Sequence, residues 1–406
     1  MIGERRSRSV TGANAPPMQG SSSQDIALVG IGLRVPGASD PRTFYQNLLN
    51  EVDAIRAIPA ERTPLYQAAH ASSRADRIPN FGGFIDGLDR FDAQFFGFSR
   101  KEVLATDPMH RLMLHAAWEA LEDAAIDPRG LRGRQVAVYT GVIATDGHDL
   151  ATADARGFDL YSYVNTTFAA LAGRVAYTLD TRGEAVSVDT ACSSSLVAMH
   201  LGVSALRRGD AEIALVGGAN ALLVPEFSQA FARAGMLAAD GRCKAFDARG
   251  DGFVRSEGVV CVALMPLARA VEDGHPIYAV IKGTRLNHDG GTGQYKTPNV
   301  AGQTALLRDL YRATGLDPRD THYVEAHGTG TRAGDPVEVE AIANVLCAGR
   351  DPDRALLIGS VKTNVGHCEG AAGLVGVAKV ALALKHEVIP RSLHFEEPNP
   401  NIAWDR

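Results

Sequence analysis

Two successive series of short apolar runs alternate with helical stretches along this chain, and that alternation constrains its fold more than any other feature. In the first series, β-type runs at Ile26–Gly32, Gln135–Val142, Ala185–Val188, Ile213–Gly218 and around Gly258–Leu264 are separated by helical segments. One helix starts at Asp107-Pro108, an N-cap followed by a proline at the first helical position, and places Leu114, Trp118, Leu121 and Ala125 on one apolar face. Others run over Thr166–Tyr177 and Leu196–Leu206. In the second series, strands at Ile277–Ile281, Tyr323–Glu325 and Leu356–Ser360 alternate with helices at Gln303–Thr314, Val337–Leu346 and Ala371–Lys385. Strands separated by helices require a mostly parallel sheet covered on both faces, so the pattern predicts an α/β protein with an internal duplication.

The chain has 406 residues, enough for more than one ordinary domain. Three segments are expected: a disordered tail over 1–24, a first half over 25–270 and a second half over 271–406. The tail is rich in Arg, Ser, Gly and Pro and has no apolar centre, which excludes a secretory signal. A net charge of −6 without a basic block beyond the tail argues against a nucleic-acid partner. No apolar run approaches the ~20 residues of a membrane span. The five cysteines are scattered and form no CxxC pair, so neither a disulfide framework nor a zinc pattern is expected. A reducing, cytoplasmic setting suits that usage.

The run Val188-Asp189-Thr190-Ala191-Cys192-Ser193-Ser194-Ser195 places Cys192 where a strand turns into the first turn of a helix. The free N–H groups and positive dipole end of a helix favour an anion, so a thiol there is expected to have a lowered pKa. A small buried hydrophobe is the bland alternative. His327 lies in the loop Glu325-Ala326-His327-Gly328-Thr329-Gly330-Thr331, at the C-terminal edge of a strand, where ligand sites of parallel sheets form. A histidine satisfied by loop hydrogen bonds would look the same. Val361-Lys362-Thr363-Asn364-Val365-Gly366-His367 follows the third strand of the second series, just as Cys192 follows the third strand of the first. A pseudo-two-fold relation would bring Cys192 and His367 into one cleft. A thiolate and two neutral imidazoles suit acyl transfer and the stabilisation of an enolate after loss of CO2. Gly30-x-Gly32 lacks the third glycine of a dinucleotide loop, and Gly291–Thr297 lacks the glycine that a phosphate loop needs before Lys296. No HExxH or carboxylate-rich loop occurs, so no metal is expected.

On these three segments the chain resembles the β-ketoacyl synthase (ketosynthase) domain of type I polyketide synthases. Asp107-Pro108, Gly241–Asp247, Gly252–Gly258 and Asn287–Gly290 support the resemblance, which runs from Asp25 to Arg406. It implies a thiolase-like fold, a duplicated α-β-α-β-α five-layer sandwich with mixed sheets, and a homodimer. It implies that Cys192 accepts an acyl chain from an acyl carrier protein and that its backbone N–H is one oxyanion donor. It implies that His327 and His367 assist decarboxylation of a malonyl-type extender and the condensation. Lys362 would support His367 electrostatically, and Thr329 and Thr331 would contact the phosphopantetheine arm of the partner carrier protein. The domain itself would bind no cofactor. Cys192, His327 and His367 together fit a condensing member, placed in or beside a multidomain assembly of polyketide, or fatty acid, biosynthesis.

Members of the family continue past the Pro398-Asn399-Pro400 segment into a glycine-rich loop and a final strand that supply a second oxyanion donor. The sequence stops at Arg406. A catalytically silent dimerisation or docking module is therefore the alternative expectation.

Overall fold

The computed structural model describes residues 24–64, 66, 80–153, 158–291 and 297–405. The expected tail before Gln24 and most of the Gly291–Thr297 loop lie outside them. Ten strands are described: β1 (Ile26–Arg34), β2 (Ile55–Ala57), β3 (Phe81–Gly83), β4 (Val136–Gly141), β5 (Ala185–Val188), β6 (Ile213–Asn220), β7 (Gly258–Pro266), β8 (Ala279–Ile281), β9 (Tyr323–Glu325) and β10 (Leu357–Gly359). The helices that position the site are α1 (Pro41–Leu49), α2 (Pro108–Asp123), α3 (Phe168–Thr178), α4 (Ser194–Arg208), α5 (Val300–Thr314), α6 (Gly334–Ile342) and α7 (Ala372–His386).

A six-stranded sheet in the order β5-β4-β6-β7-β1-β8 forms the centre of the first half. β4 runs parallel to β5 and β6, whereas β7 is antiparallel to both β6 and β1. β1, β6 and β7 are buried along nearly their whole length, because helices cover both faces. One face packs against α2 and α3, the other against α1, α4 and α7. Asp107 caps α2 by accepting a hydrogen bond from the Met109 amide, with Pro108 at its first position. The helix ends at Asp123, so Ala125 falls beyond its apolar face, in a left-handed conformation (φ 55°).

Gly30 and Gly32 have a purely steric role. A Cβ at either position would lie 2.0 Å or 2.1 Å from a carbonyl oxygen of α2 (Ala120 and Ala116). The pair is the seat of that helix, which accounts for a Gly-x-Gly without a nucleotide.

The second series departs from the sequence expectation in one respect. The strand expected at Ile277–Ile281 is β8, and it pairs antiparallel with β1 at the edge of the first sheet. β1 has β7 on one side only, and β8 satisfies its other row of backbone groups. The second sheet, as described, is the parallel pair β10-β9. Alternation along β9 sets its two faces. Val324, Ile358 and Val339 of α6 pack against one apolar cluster around Phe246 and Ala326, while Glu325 turns the other way, to Lys379 of α7. Helices α2 and α3, the first sheet, α4 and α7, the second sheet, and α6 therefore stack as five layers.

β4 meets the start of α4 without room for a side chain: a Cβ on Gly141 would lie 2.3 Å from the Ser195 nitrogen. Gly141→Ala is expected to lower the unfolding free energy by about 2 kcal/mol, as overpacking against backbone does, measured by urea denaturation. An unchanged midpoint would contradict this packing.

Candidate active site

Cys192 sits between β5 and α4, at an elbow that its neighbours hold under strain. Ala191 adopts φ 57°, a left-handed conformation that costs a non-glycine residue of order 1 kcal/mol or more. Short polar side chains fix it. The Ala191 amide donates to Asp189 (2.9 Å) and the Thr190 amide to the Ser194 hydroxyl (2.9 Å), which in turn donates to the Ala191 carbonyl (2.7 Å). The serine run after the cysteine thus builds the turn rather than the chemistry.

The start of α7 meets the start of α4. Ser195 Oγ accepts from the Leu374 amide at 3.2 Å. Gly373 would put a Cβ 2.4 Å from Leu196, and Gly218 one 2.8 Å from Ser195. With the two helix starts in contact, the loop before α7 delivers His367 to the cysteine. Cys192 Sγ and one ring nitrogen each of His327 and His367 lie within 4.8 Å of one another. The two imidazoles stand edge to face, with centroids 5.4 Å apart.

His327 hangs from a loop gripped by two carboxylates of α6. Glu338 accepts from the His327 amide (2.6 Å) and the Gly328 amide (2.9 Å), and Asp335 from the Gly330 and Phe246 amides. Motif reading misses these two acids. Their spacing of three residues on one helix, just after the histidine loop, is the signal that points to them. Gly328 has φ 45° and no room for a Cβ beside Ser360. Thr329 and Thr331 touch each other through their hydroxyls (3.1 Å), and Thr331 also accepts from the Gly334 amide at the start of α6.

His367 is buried and lies against Phe253, with centroids 5.1 Å apart. Its Nδ1 accepts a hydrogen bond from the Glu369 amide at 2.9 Å. A backbone N–H can only donate, so Nδ1 carries no proton and the neutral ring holds its proton on Nε2. Burial, followed by the charge of Lys362, keeps this imidazole well below the ordinary histidine pKa. Desolvation and Lys362 act in the same direction on His327, although by surface area this residue is exposed, unlike His367. Lys362 is buried, at the start of a short helix (Lys362–Val365), rather than a surface lysine.

The Cys192 thiol departs from the sequence expectation: its pKa is raised. Burial is the main cause and the Glu369 carboxylate adds to it, while Lys362 and the residue's own amide oppose them. Burial and Glu369 therefore outweigh Lys362 and the amide, which favours the protonated thiol.

Three soft or borderline donors within reach of one another could suit Zn2+. The Nδ1 hydrogen bond argues against it. An Nε2 that keeps its proton has no lone pair to give, and the Glu369 amide blocks transfer of that proton to Nδ1. The same arrangement suits a proton donor to an oxyanion.

Alkylation of Cys192 by iodoacetamide is expected to accelerate about tenfold per pH unit from pH 7 to beyond pH 9, because the thiolate fraction grows until pH passes a raised pKa. Alkylation rates followed by intact mass check this. A plateau below pH 8 would show a stabilised thiolate instead.

Comparisons with known proteins identify the family. The family described as "Beta-ketoacyl synthase, N-terminal domain" matches residues 23–270, and "Beta-ketoacyl synthase, C-terminal domain" matches residues 278–396. Erythronolide synthase EryA2 of Saccharopolyspora erythraea is 43% identical over 388 residues, which is 94% of this chain and 11% of the relative. Erythronolide synthase EryA3 of the same organism is 43% identical over 385 residues, 94% of this chain and 12% of the relative. A phenolphthiocerol/phthiocerol polyketide synthase of Mycobacterium tuberculosis is 43% identical over 387 residues, 95% of this chain and 21% of the relative. The chain thus spans only a small part of these curated relatives. Among solved structures, the ketosynthase from module 6 of the bacillaene synthase from Bacillus subtilis 168 aligns with a TM-score of 0.85 and 37% identity, over 94% of this chain and 64% of that one. The oxazolomycin ketosynthase domain OzmH KS7 of Streptomyces albus JA3453 aligns with a TM-score of 0.87 and 35% identity, over 94% and 66%. With family models matching both halves of the chain and relatives and solved ketosynthases aligning over nearly all of it, the chain belongs to the β-ketoacyl synthase family, with the thiolase-like fold of its ketosynthases.

Proposed function

We propose that this chain is an elongating ketosynthase, catalysing decarboxylative Claisen condensation in polyketide biosynthesis. The observation that carries the reading is the convergence of Cys192, His327 and His367 within 4.8 Å, with His367 held as an Nε2–H donor. In the first half-reaction the Cys192 sulfur attacks an acyl thioester. A new C–S bond forms, the phosphopantetheine thiol leaves, and the thiol proton passes to it. In the second, a malonyl thioester on the carrier protein loses CO2, and the electron pair of the broken C–C bond becomes an enolate. The N–H groups of neutral His327 and His367 donate to its oxygen. Such donors act most strongly where water is excluded. The enolate carbon then attacks the acyl-Cys192 carbonyl, and the thiolate is expelled and reprotonated. One proton is consumed for each CO2 released.

The other residues fall into supporting roles. Lys362 adds to burial in holding both histidines neutral, and it opposes the effect of burial on the thiolate. Thr329 and Thr331 contact the pantetheine amides of the arm, a role supported by their adjoining hydroxyls on the His327 loop. The partners are an acyl carrier protein and a second copy of this chain, within or beside a polyketide synthase assembly in the cytoplasm. Support for the dimer comes from β5. It is one of the two outer strands of the first sheet, Val186 is 39% exposed on it, and Tyr177 stands exposed on α3, which packs against it. No described helix is long and apolar enough to cross a membrane.

Incubation with an acyl-pantetheine thioester is expected to add one acyl mass to the chain, and Cys192→Ala to abolish it. His327→Ala and His367→Ala are expected to keep the adduct while slowing CO2 release from malonyl-pantetheine by roughly 10²–10³-fold, the usual effect of losing an oxyanion donor. An adduct on Cys192→Ala, or full decarboxylation in both histidine variants, would overturn the assignment.

A further inference from the structure

His367 acts through a tautomer, and the group that selects the tautomer is itself under strain. Glu369 has φ 43°, the left-handed region that a non-glycine residue avoids. It is buried, and its amide is the one that donates to His367 Nδ1. Its carboxylate is held by both arms of the buried Arg255 guanidinium, through Nε to Oε1 and through Nη2 to Oε2 at 3.0 Å. Arg255 Nη1 donates to Ser228 at 2.9 Å, which fixes the far side of the fork. The backbone around Arg255 pairs with His367 directly. The His367 amide donates to the Val254 carbonyl (2.8 Å) and the Ser256 amide to the His367 carbonyl (3.0 Å). A closed ring results, from the His367 backbone to the 254–256 segment, out along the Arg255 side chain, through the Glu369 carboxylate and amide, and back to the imidazole.

We propose that the buried Arg255–Glu369 ion pair is the positioning device of the site: it holds the strained Glu369 amide against His367 Nδ1 and so keeps the ring as a single Nε2–H donor. A bidentate arginine–carboxylate pair has the fixed geometry this task needs. The pair touches no reacting atom, so Arg255 and Glu369 are positioning residues that act through His367. This inference rests on the reading of His367 as an enolate-stabilising donor. The Glu369 charge has a second effect, of opposite sign for the overall reaction, because it raises the pKa of the Cys192 thiol. Neutralising it should favour the thiolate while loosening the imidazole.

The test uses the full chain labelled with 15N-histidine, with the His367 ring signals assigned through His367→Gln. The wild type is expected to show one Nε2–H tautomer with a hydrogen-bonded Nδ1, and an Nδ1–H tautomer there overturns the proposal outright. Two variants follow. Glu369→Gln keeps the shape and removes the charge. Arg255→Met/Glu369→Gln removes both charges while filling the space, which avoids a lone buried charge and protects folding. In both, the Nδ1 hydrogen bond is expected to be lost or split between ring states. CO2 release from malonyl-pantetheine should fall roughly 10- to 100-fold, the scale of disrupted outer-shell contacts. Acylation of Cys192 in Glu369→Gln should be as fast as wild type or faster, a movement that general loss of structure does not produce. A folded variant that keeps the wild-type ring signals and full decarboxylation overturns the inference. A ring that loses its Nδ1 hydrogen bond while decarboxylation stays unchanged supports the positioning role and overturns instead the reading of His367 as the donor.

Discussion

Everything at the site depends on one contact, the meeting of the first turns of α4 and α7 between the two sheets. The Leu374 amide reaches Ser195 Oγ, Gly373 removes the side chain that would hold the helices apart, and Gly141 and Gly218 let the helix starts sit directly on the sheet. Because the elbow carrying Cys192 and the loop carrying His367 lead into these two helices, that single contact fixes the distance between thiol and imidazole. The helices also bring their positive ends to the same place. Lys362 acts on the thiol and both imidazoles with the same sign of charge. The site is thus biased towards negative charge, which the reaction develops on an enolate oxygen and on a departing sulfur.

That bias does not make a resting thiolate. Removing a thiol from water disfavours its charged form, and the Glu369 carboxylate works in the same direction. Lys362 and the residue's own amide only partly offset the two. For thioester exchange this is a workable compromise, since a less acidic thiol gives a more nucleophilic thiolate when it ionises. On the histidines, whose charged form is a cation, burial and Lys362 act together instead of competing. Burial and Lys362 both disfavour their cationic forms, so each ring can donate one N–H without acting as an acid.

The parts of this molecule that are legible in the sequence are those written in local pattern. The β-type runs, the capped start of α2, the elbow at Cys192 and the two histidine loops can all be read from spacing and turn chemistry. So can the convergence of Cys192 with His367, because both follow the third strand of their series. What stays hidden depends on pairing across long separations. β8 looks like the opening strand of a second sheet, yet it hydrogen-bonds to β1, the first strand of the chain. The Gly30-x-Gly32 pair looks like a failed nucleotide loop, yet it seats a helix. Arg255 and Glu369 are 114 positions apart, and no periodicity links them. The thiol pKa escapes sequence reading for a related reason. The helix dipole is a local property, visible in the strand-to-helix turn, but desolvation depends on the whole fold.

The central claim is that the thiol and both imidazoles serve one coupled reaction. Single-turnover mixing of enzyme acylated at Cys192 with a malonyl-loaded carrier protein measures this most directly, with CO2, β-ketoacyl thioester and free Cys192 thiol counted together. The three are expected to appear in equal amounts and at one rate. Release of CO2 without the β-ketoacyl product, or loss of the acyl group to water, would contradict it.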